Sequence, residues 1–347
     1  TESWSAFADL TWNFTDKLSV SVGGRYTDDK RTADVLRASY LGAGGSPFFG
    51  NDDALFLGAS SDYQAEETWT DFSPRVNISY LWTDDITVYG GYSQGFKAGM
   101  FDPRGANFAT PAVEEGVDPE TLDSYEIGIK SSYWDGRAIT NVALFYSEYT
   151  DMQVPGSVGI DTDGDGINDD FAGTLTNAGE AEISGIEIEG TFLFTENFSM
   201  QVAASFLDAE ITEWIVNDVD VSDDRSVQNT PEEMAYVAFN YLTEAFGGDL
   251  NLNANWSYKG DSTQFEYAAP VMDQDAYDMF NASVVWVSAS EAWLLGLYGK
   301  NLSDEEIKTA GYCFGNESYC SPLGFEDNTS VFYAPPRTIS ATVEYRF

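Results

Sequence analysis

The spacing in this chain best suited to chemistry is Asp161-Thr162-Asp163-Gly164-Asp165-Gly166-Ile167-Asn168-Asp169. Carboxylates at positions 1, 3 and 5, glycine at 6 for a sharp turn, the backbone carbonyl of Ile167 at 7 and Asp169 at 9 are how an EF-hand-like loop wraps Ca²⁺ in oxygen. Position 12 is Ala172, where that loop wants a bidentate glutamate, so binding is expected to be weak unless Asp170 or a neighbouring loop completes the shell. The alternative is an acidic, solvated loop tip in an acidic chain. Cys313 and Cys320 fit neither a zinc framework nor a redox Cys-x-x-Cys motif. In an oxidising compartment they are expected to close a short disulfide loop, the alternative being two free thiols. A third stretch, Asp208 to Glu233, carries nine carboxylates and a single base, Arg225. It reads as a solvated face, or as a recruiter of cations.

What is missing is equally informative. Histidine is absent, so neither an imidazole base nor a histidine-held metal can come from these residues, and there is no Gly-x-Ser-x-Gly. No catalytic constellation remains, and an enzyme is not expected. The net charge of -42, from 58 acidic and 16 basic side chains, would repel a phosphate backbone and argues against nucleic acid.

The elements carrying these loops repeat with period 2. At the end of the chain Ile339, Ala341, Val343, Tyr345 and Phe347 form an apolar row, while Ser340, Thr342, Glu344 and Arg346 form a polar one. Such a strand suits a bilayer, apolar side to lipid and polar side to a lumen, with aromatics at the interface. Trp4–Phe14 and Leu18–Thr27 show the same pattern around a Thr15-Asp16-Lys17 turn. It recurs in Phe72–Trp82 with Ile86–Phe96, Leu122–Trp134 with Arg137–Tyr149, Glu182–Phe194 with Phe198–Leu207, Glu233–Leu242 with Leu250–Lys259, and Tyr277–Val287 with Trp293–Asn301. With the terminal strand the count is thirteen, joined alternately by tight turns and by long polar stretches such as 28–67.

Tight turns on one side and long loops on the other are the asymmetry of an outer-membrane β-barrel, turns periplasmic and loops extracellular. The expected fold is therefore all-β, a transmembrane antiparallel barrel in the bacterial outer membrane. Single-chain bacterial barrels have an even strand number, so at least one strand is expected upstream of Thr1. The acid-rich loops would then face salty water or divalent-bridged lipopolysaccharide.

Five stretches carry a resemblance to a known family: YGGYSQGFKAGMFD at 89–102, PETLDSYEIGIKSSYWDGRAITNVALFYSEYTDMQV at 119–154, NAGEAEISGIEIEGTF at 177–192, YGKNLSDEEIKTAGY at 298–312 and PRTISATVEYRF at 336–347. In order and spacing they resemble the TonB-dependent outer-membrane receptors over essentially the whole chain. The resemblance implies a 22-stranded barrel filled by an N-terminal plug, of which residues 1–347 supply the last thirteen strands and neither the plug nor the box that meets TonB. It implies energised import of a scarce nutrient such as a ferric siderophore, contact with TonB through the missing region, and a monomeric barrel. The last strand would be read by the barrel-assembly machinery. A passive diffusion porin is the alternative, separable by its 16–18 strands and open channel.

Overall fold

A computed structural model describes residues 1–41, 50–108, 111–160, 170–216, 219–266, 269–314 and 328–347. Its strands are β1 (Glu2–Asn13), β2 (Leu18–Leu41), β3 (Leu55–Thr83), β4 (Ile86–Lys97), β5 (Glu120–Tyr133), β6 (Ala138–Ile160), β7 (Asp170–Leu193), β8 (Phe198–Val216), β9 (Val219–Asp220), β10 (Glu233–Ala245), β11 (Gly248–Lys259), β12 (Tyr277–Ser288), β13 (Trp293–Lys300), β14 (Lys308–Phe314), β15 (Asn328–Tyr333) and β16 (Thr338–Tyr345). One sheet runs β1-β2-β3-β4-β5-β6-β7-β8-β10-β11-β12-β13-β16, the thirteen expected strands in sequence order, with β9 attached to β8. Every neighbouring pair is antiparallel.

The register keeps the two faces apart. One row across the sheet reads Leu18, Tyr80, Val88, Ile129, Val142, Ile188, Ala204, Ala235, Tyr258. A neighbouring row on the other face reads Asn13, Ser19, Ser79, Tyr89, Gly128, Ala143, Glu187, Ser205. A one-residue slip anywhere would carry Glu187 onto the lipid side, so burial in a bilayer fixes the pairing. The terminal row sits as expected: Ile339, Ala341, Val343 and Tyr345 pair with Gly299, Leu297, Leu295 and Trp293, all four are exposed, and the Tyr345 ring lies 4.7 Å from Trp293 and 5.0 Å from Phe347.

Two tight turns use one device. Thr15 Oγ1 accepts from the N–H groups of Lys17 (3.1 Å) and Leu18 (3.0 Å), and Thr195 Oγ1 accepts from Asn197 (3.2 Å) and Phe198 (3.0 Å). A hydroxyl is thereby substituted for missing ladder bonds where the chain reverses. The Asp135-Gly136 turn places both residues at positive φ, 56° and 83°, which this pair tolerates at little steric cost.

On the long-loop side the structure corrects the expected boundaries. Residues 28–41 and 55–67 continue β2 and β3 as a paired hairpin well beyond the apolar rows, and β6 and β7 run on to Ile160 and back from Asp170. These extensions carry polar residues on both faces, Lys30–Glu66 at 2.7 Å among them, so the alternation that marks a half-buried strand is lost although the ladder continues. The last connection likewise folds its own two-stranded sheet, β14 with β15. The buried apolar residues, Ala138 apart, lie at this end, including Trp69, Val117, Val154, Ile211, Trp214 and Met272.

Candidate functional site

The connections at the long-loop end are built into a braced platform. Between β4 and β5 the chain is pinned from two sides. From the β3 extension, Ser61 Oγ donates to Gly105 C=O (2.5 Å), Asp62 N–H donates to Asn107 Oδ1 (3.0 Å) and the Tyr63 hydroxyl donates to Asp102 C=O (3.4 Å). Arg37 of β2 donates to the carbonyls of Arg104 and Gly105. From β6, Gln153 Nε2 donates to the carbonyls of Ala98 (3.1 Å) and Asp118 (2.9 Å), while Asn177 of β7 exchanges two bonds with Asp118. Gln153 reaches this position because β6 bulges just before it, with Asp151 at φ 56°. Gly99 is required where the segment crosses Trp69, since a Cβ there would collide with that indole and with Val117 C=O.

At the centre Arg104 grips Asp102 through Nε (3.0 Å) and Nη2 (2.9 Å). Asp102 is 5% exposed in its side chain, and burial works against its charge. The side-chain and backbone hydrogen bonds of Arg104, with the charges of Arg104 and Arg37, outweigh that and hold the carboxyl below its ordinary value. Burial, then the charges of Asp102 and Glu114, push the Tyr63 phenol up.

A second cap lies at the long-loop end of β6, β7 and β8. Val154, Ala181, Ile211 and Trp214 form its apolar centre, and Arg225 lies 5.8 Å over the Trp214 ring. Asp220 Oδ1 accepts from the N–H groups of Ser222 (3.0 Å) and Trp214 (3.1 Å), bonds to backbone that lower its pKa. The acid-rich stretch is therefore folded, and its eight described acidic residues are all exposed. Ser226 N–H and Asn229 N–H donate to the carbonyls of Glu266 and Thr263, tying the 221–232 segment to the β11–β12 connection.

The polar face of the sheet carries its own contacts. Arg75 donates to Asp9 (2.8 Å), Tyr89 to Glu126, and Asn240 to Asn251 (2.8 Å) and Asn253 (2.7 Å). Lys130 sits 5.1 Å over the Tyr89 ring. Charges and amides satisfying one another on this side are what a lumen wall needs.

The proposed cation loop, Asp161, Asp163, Asp165, Ile167 and Asp169, lies outside the described residues. Its frame does not: Ile160 pairs with Asp170 and Val158 with Ala172, so position 12 belongs to the ladder of β7. Cys320 is also outside the described residues, while the backbone of Cys313 pairs with Thr329. The Asp102–Arg104 clamp and Gln153 were missed by motif reading. The signal was the scarcity of bases: with 16 in 347 residues, an Asp-x-Arg spacing in a loop marks a local pair.

A sheet with one apolar and one polar face, reversing tightly at one end and through folded loops at the other, is the wall of an outer-membrane β-barrel. The chain belongs to the TonB dependent receptor-like β-barrel family, which matches residues 1–302. It is 27% identical over 329 residues to the pesticin receptor of Yersinia enterocolitica, covering 91% of this chain and 41% of that protein. To the metal-pseudopaline receptor CntO of Pseudomonas aeruginosa it is 24% identical, covering 76% of this chain and 34% of that one. The ferric yersiniabactin uptake receptor FyuA from Yersinia pestis superposes with a TM-score of 0.75 at 20% identity, over 99% of this chain and 45% of that structure. The chain thus spans less than half the length of these relatives.

Proposed function

We propose that this chain is the C-terminal wall of a gated importer that brings a scarce nutrient, such as a ferric siderophore or another large substrate, across the outer membrane on energy supplied through TonB. The observation that carries this reading is the thirteen-strand family barrel wall crowned by braced loops, which suits capture of a ligand better than free passage. Two relatives named for uptake of ferric yersiniabactin and for metal-pseudopaline point the same way. The missing strands and plug would lie upstream and meet TonB from the periplasm, with long loops extracellular, tight turns and C-terminus periplasmic. Lipid and lipopolysaccharide would surround a monomeric barrel, and the Ile339–Phe347 row would guide its assembly. A catalytic role has no support among the named relatives, which are receptors. The test is cargo uptake by cells expressing the full-length protein, with and without TonB or a proton uncoupler. Uptake that stops in both cases is expected; equal uptake under all conditions would make the protein a porin.

Within this reading the 161–169 loop holds Ca²⁺ weakly, and Cys313 and Cys320 form a disulfide that closes the tip beyond β14. Alkylation of outer-membrane extracts without reductant, read by mass spectrometry, should leave both thiols unmodified. Efficient labelling of the pair would refute the disulfide.

A further inference from the structure

On the lipid-facing side of the sheet a groove of about 540 Å³ opens at the tight-turn end, where the β3–β4 turn stops short of the longer β5–β6 hairpin. Its walls come from the rows that face lipid. Tyr133, Ala138 and Phe192 pair in one row, and Ile86 and Thr140 flank Ser131 in the next row toward the membrane centre. Ala138 is 1% exposed although it belongs to the outer face, because Tyr133 and Phe192 stand directly opposite it on either side. A small residue between large ones makes the recess. Trp134 closes the lower end, its ring 6.3 Å from Phe192, and rings continue along this face from Trp134 through Phe194, Phe198 and Phe239, 6.4, 5.5 and 6.1 Å apart in turn. Such a belt marks the level at which hydrocarbon gives way to headgroups. The lower end of the groove is polar. Asp85 and Asp135 line it, and neither carboxylate has a side-chain hydrogen bond or ion pair among the described residues. Arg137 donates from Nε to Trp134 C=O (3.1 Å) and makes no ion pair among the described residues, which leaves its outer guanidinium nitrogens uncommitted at the same rim.

We propose that this groove is a site for one phospholipid with a primary ammonium headgroup, a phosphatidylethanolamine, its acyl chain against Ile86 and Ala138 and its headgroup at the rim. The groove is continuous with the surface that lipid covers, and it changes from apolar to polar in the order that a lipid does. Its volume falls in the range of small-molecule sites. The headgroup follows from the charges. Two carboxylates without partners repel an anionic headgroup and accept from an ammonium, which offers three N–H donors where a trimethylated one offers none. Arg137 supplies donors for the phosphate that lies between ammonium and glycerol. The site rests on the barrel wall and its aromatic belt; only its assignment to the periplasmic leaflet rests on the orientation proposed above, and nothing in it depends on the cargo.

The probe is palmitoyl-oleoyl phosphatidylethanolamine, offered to the detergent-solubilised full-length protein with equal amounts of the phosphatidylglycerol and phosphatidylcholine of the same acyl chains, and retained lipid is counted by native mass spectrometry. Mixed micelles have no leaflets, so the result is independent of orientation and of any uptake assay. Retention of phosphatidylethanolamine about tenfold above the other two is expected. Asp85→Asn with Asp135→Asn keeps the turns, since asparagine also accepts the positive φ of Asp135, and should bring the three lipids within about twofold of one another. Asp16→Asn with Glu196→Gln takes the same charge from two other tight turns and should leave the preference unchanged. Ala138→Phe fills the recess and should cut retention of all three lipids at least about tenfold, whereas Ile127→Phe, on the outer face of β5 beyond the groove, should not. Phe192→Ala opens the wall and should lower retention without crowding the strands. Heat-modified electrophoretic mobility shows that each variant folds. Equal retention of the three lipids by the unaltered protein, equal losses in the two charge pairs, or retention indifferent to both Ala138→Phe and Phe192→Ala would each overturn the assignment.

Discussion

The Asp102–Arg104 pair shows how a single carboxylate can hold a whole connection in place. Its two side-chain bonds to Arg104 and one from the Arg104 N–H (2.9 Å) fold the segment back on itself, presenting the carbonyls of Asp102, Arg104 and Gly105 to β2 and β3. Asp102→Asn keeps the shape and removes the charge. Charged hydrogen bonds contribute about 1.5–3 kcal/mol. Arg104 is 53% exposed, so screening cuts the expected loss to about 1 kcal/mol, or about fivefold faster amide exchange across 98–117 with the sheet unaffected. The pH dependence follows from the direction of the shift. A carboxyl held below its ordinary 3.8 stabilises the folded loop fully above that value, and the contribution is lost as pH falls through the lowered folded value. Exchange in 98–117, corrected for intrinsic rates, should therefore rise relative to the strands only on acidification below 3.8. A flat ratio down to about pH 2.5 would show that the pair carries no such role.

At the scale of elements, the legible and illegible parts separate by solvent. Where lipid meets one face, each strand shows its alternation, and rows such as Leu250, Leu252, Ala254, Trp256 gave the register directly. Past the apolar band both faces meet water, so Arg31, Thr32, Ala33 and Asp34 read as loop although each pairs with β3. The loop sites were harder still, since Gln153 meets Ala98 across 55 positions and only a bulge aims it there. The same pairing bears on the cation loop. The ladder reaches Asp170, so Ala172, at position 12 of the proposed loop, is a ladder residue and brings no carboxylate. Affinity in the millimolar range of extracellular modules is expected, measured by Tb³⁺ luminescence on the β6–β7 hairpin within the full-length protein. Asp163→Ala should abolish that signal; a signal indifferent to it would place the ion elsewhere.

For the whole molecule the decisive feature is the pair of open edges. β1 pairs with β2 alone and β16 with β13 alone among the described residues, and both strands are exposed along their full length. In water an edge is a hazard for association; in hydrocarbon each unpaired N–H or C=O costs several kcal/mol, and only a closed ring of strands avoids it. β1 alone spans twelve residues, so an unsealed edge leaves a run of backbone groups without partners in lipid. Residues 1–347 expressed by themselves with a secretion signal should therefore not yield a stably inserted monomer. The measurement is heat-modified mobility on gels together with trypsin resistance in outer-membrane vesicles, compared with the full-length protein. Restoring upstream strands should recover both. Recovery of a protected band at twice the monomer mass would mean that two copies seal each other's edges, whereas a protected monomer from residues 1–347 alone would show that β1 and β16 find each other and that no further strands are needed.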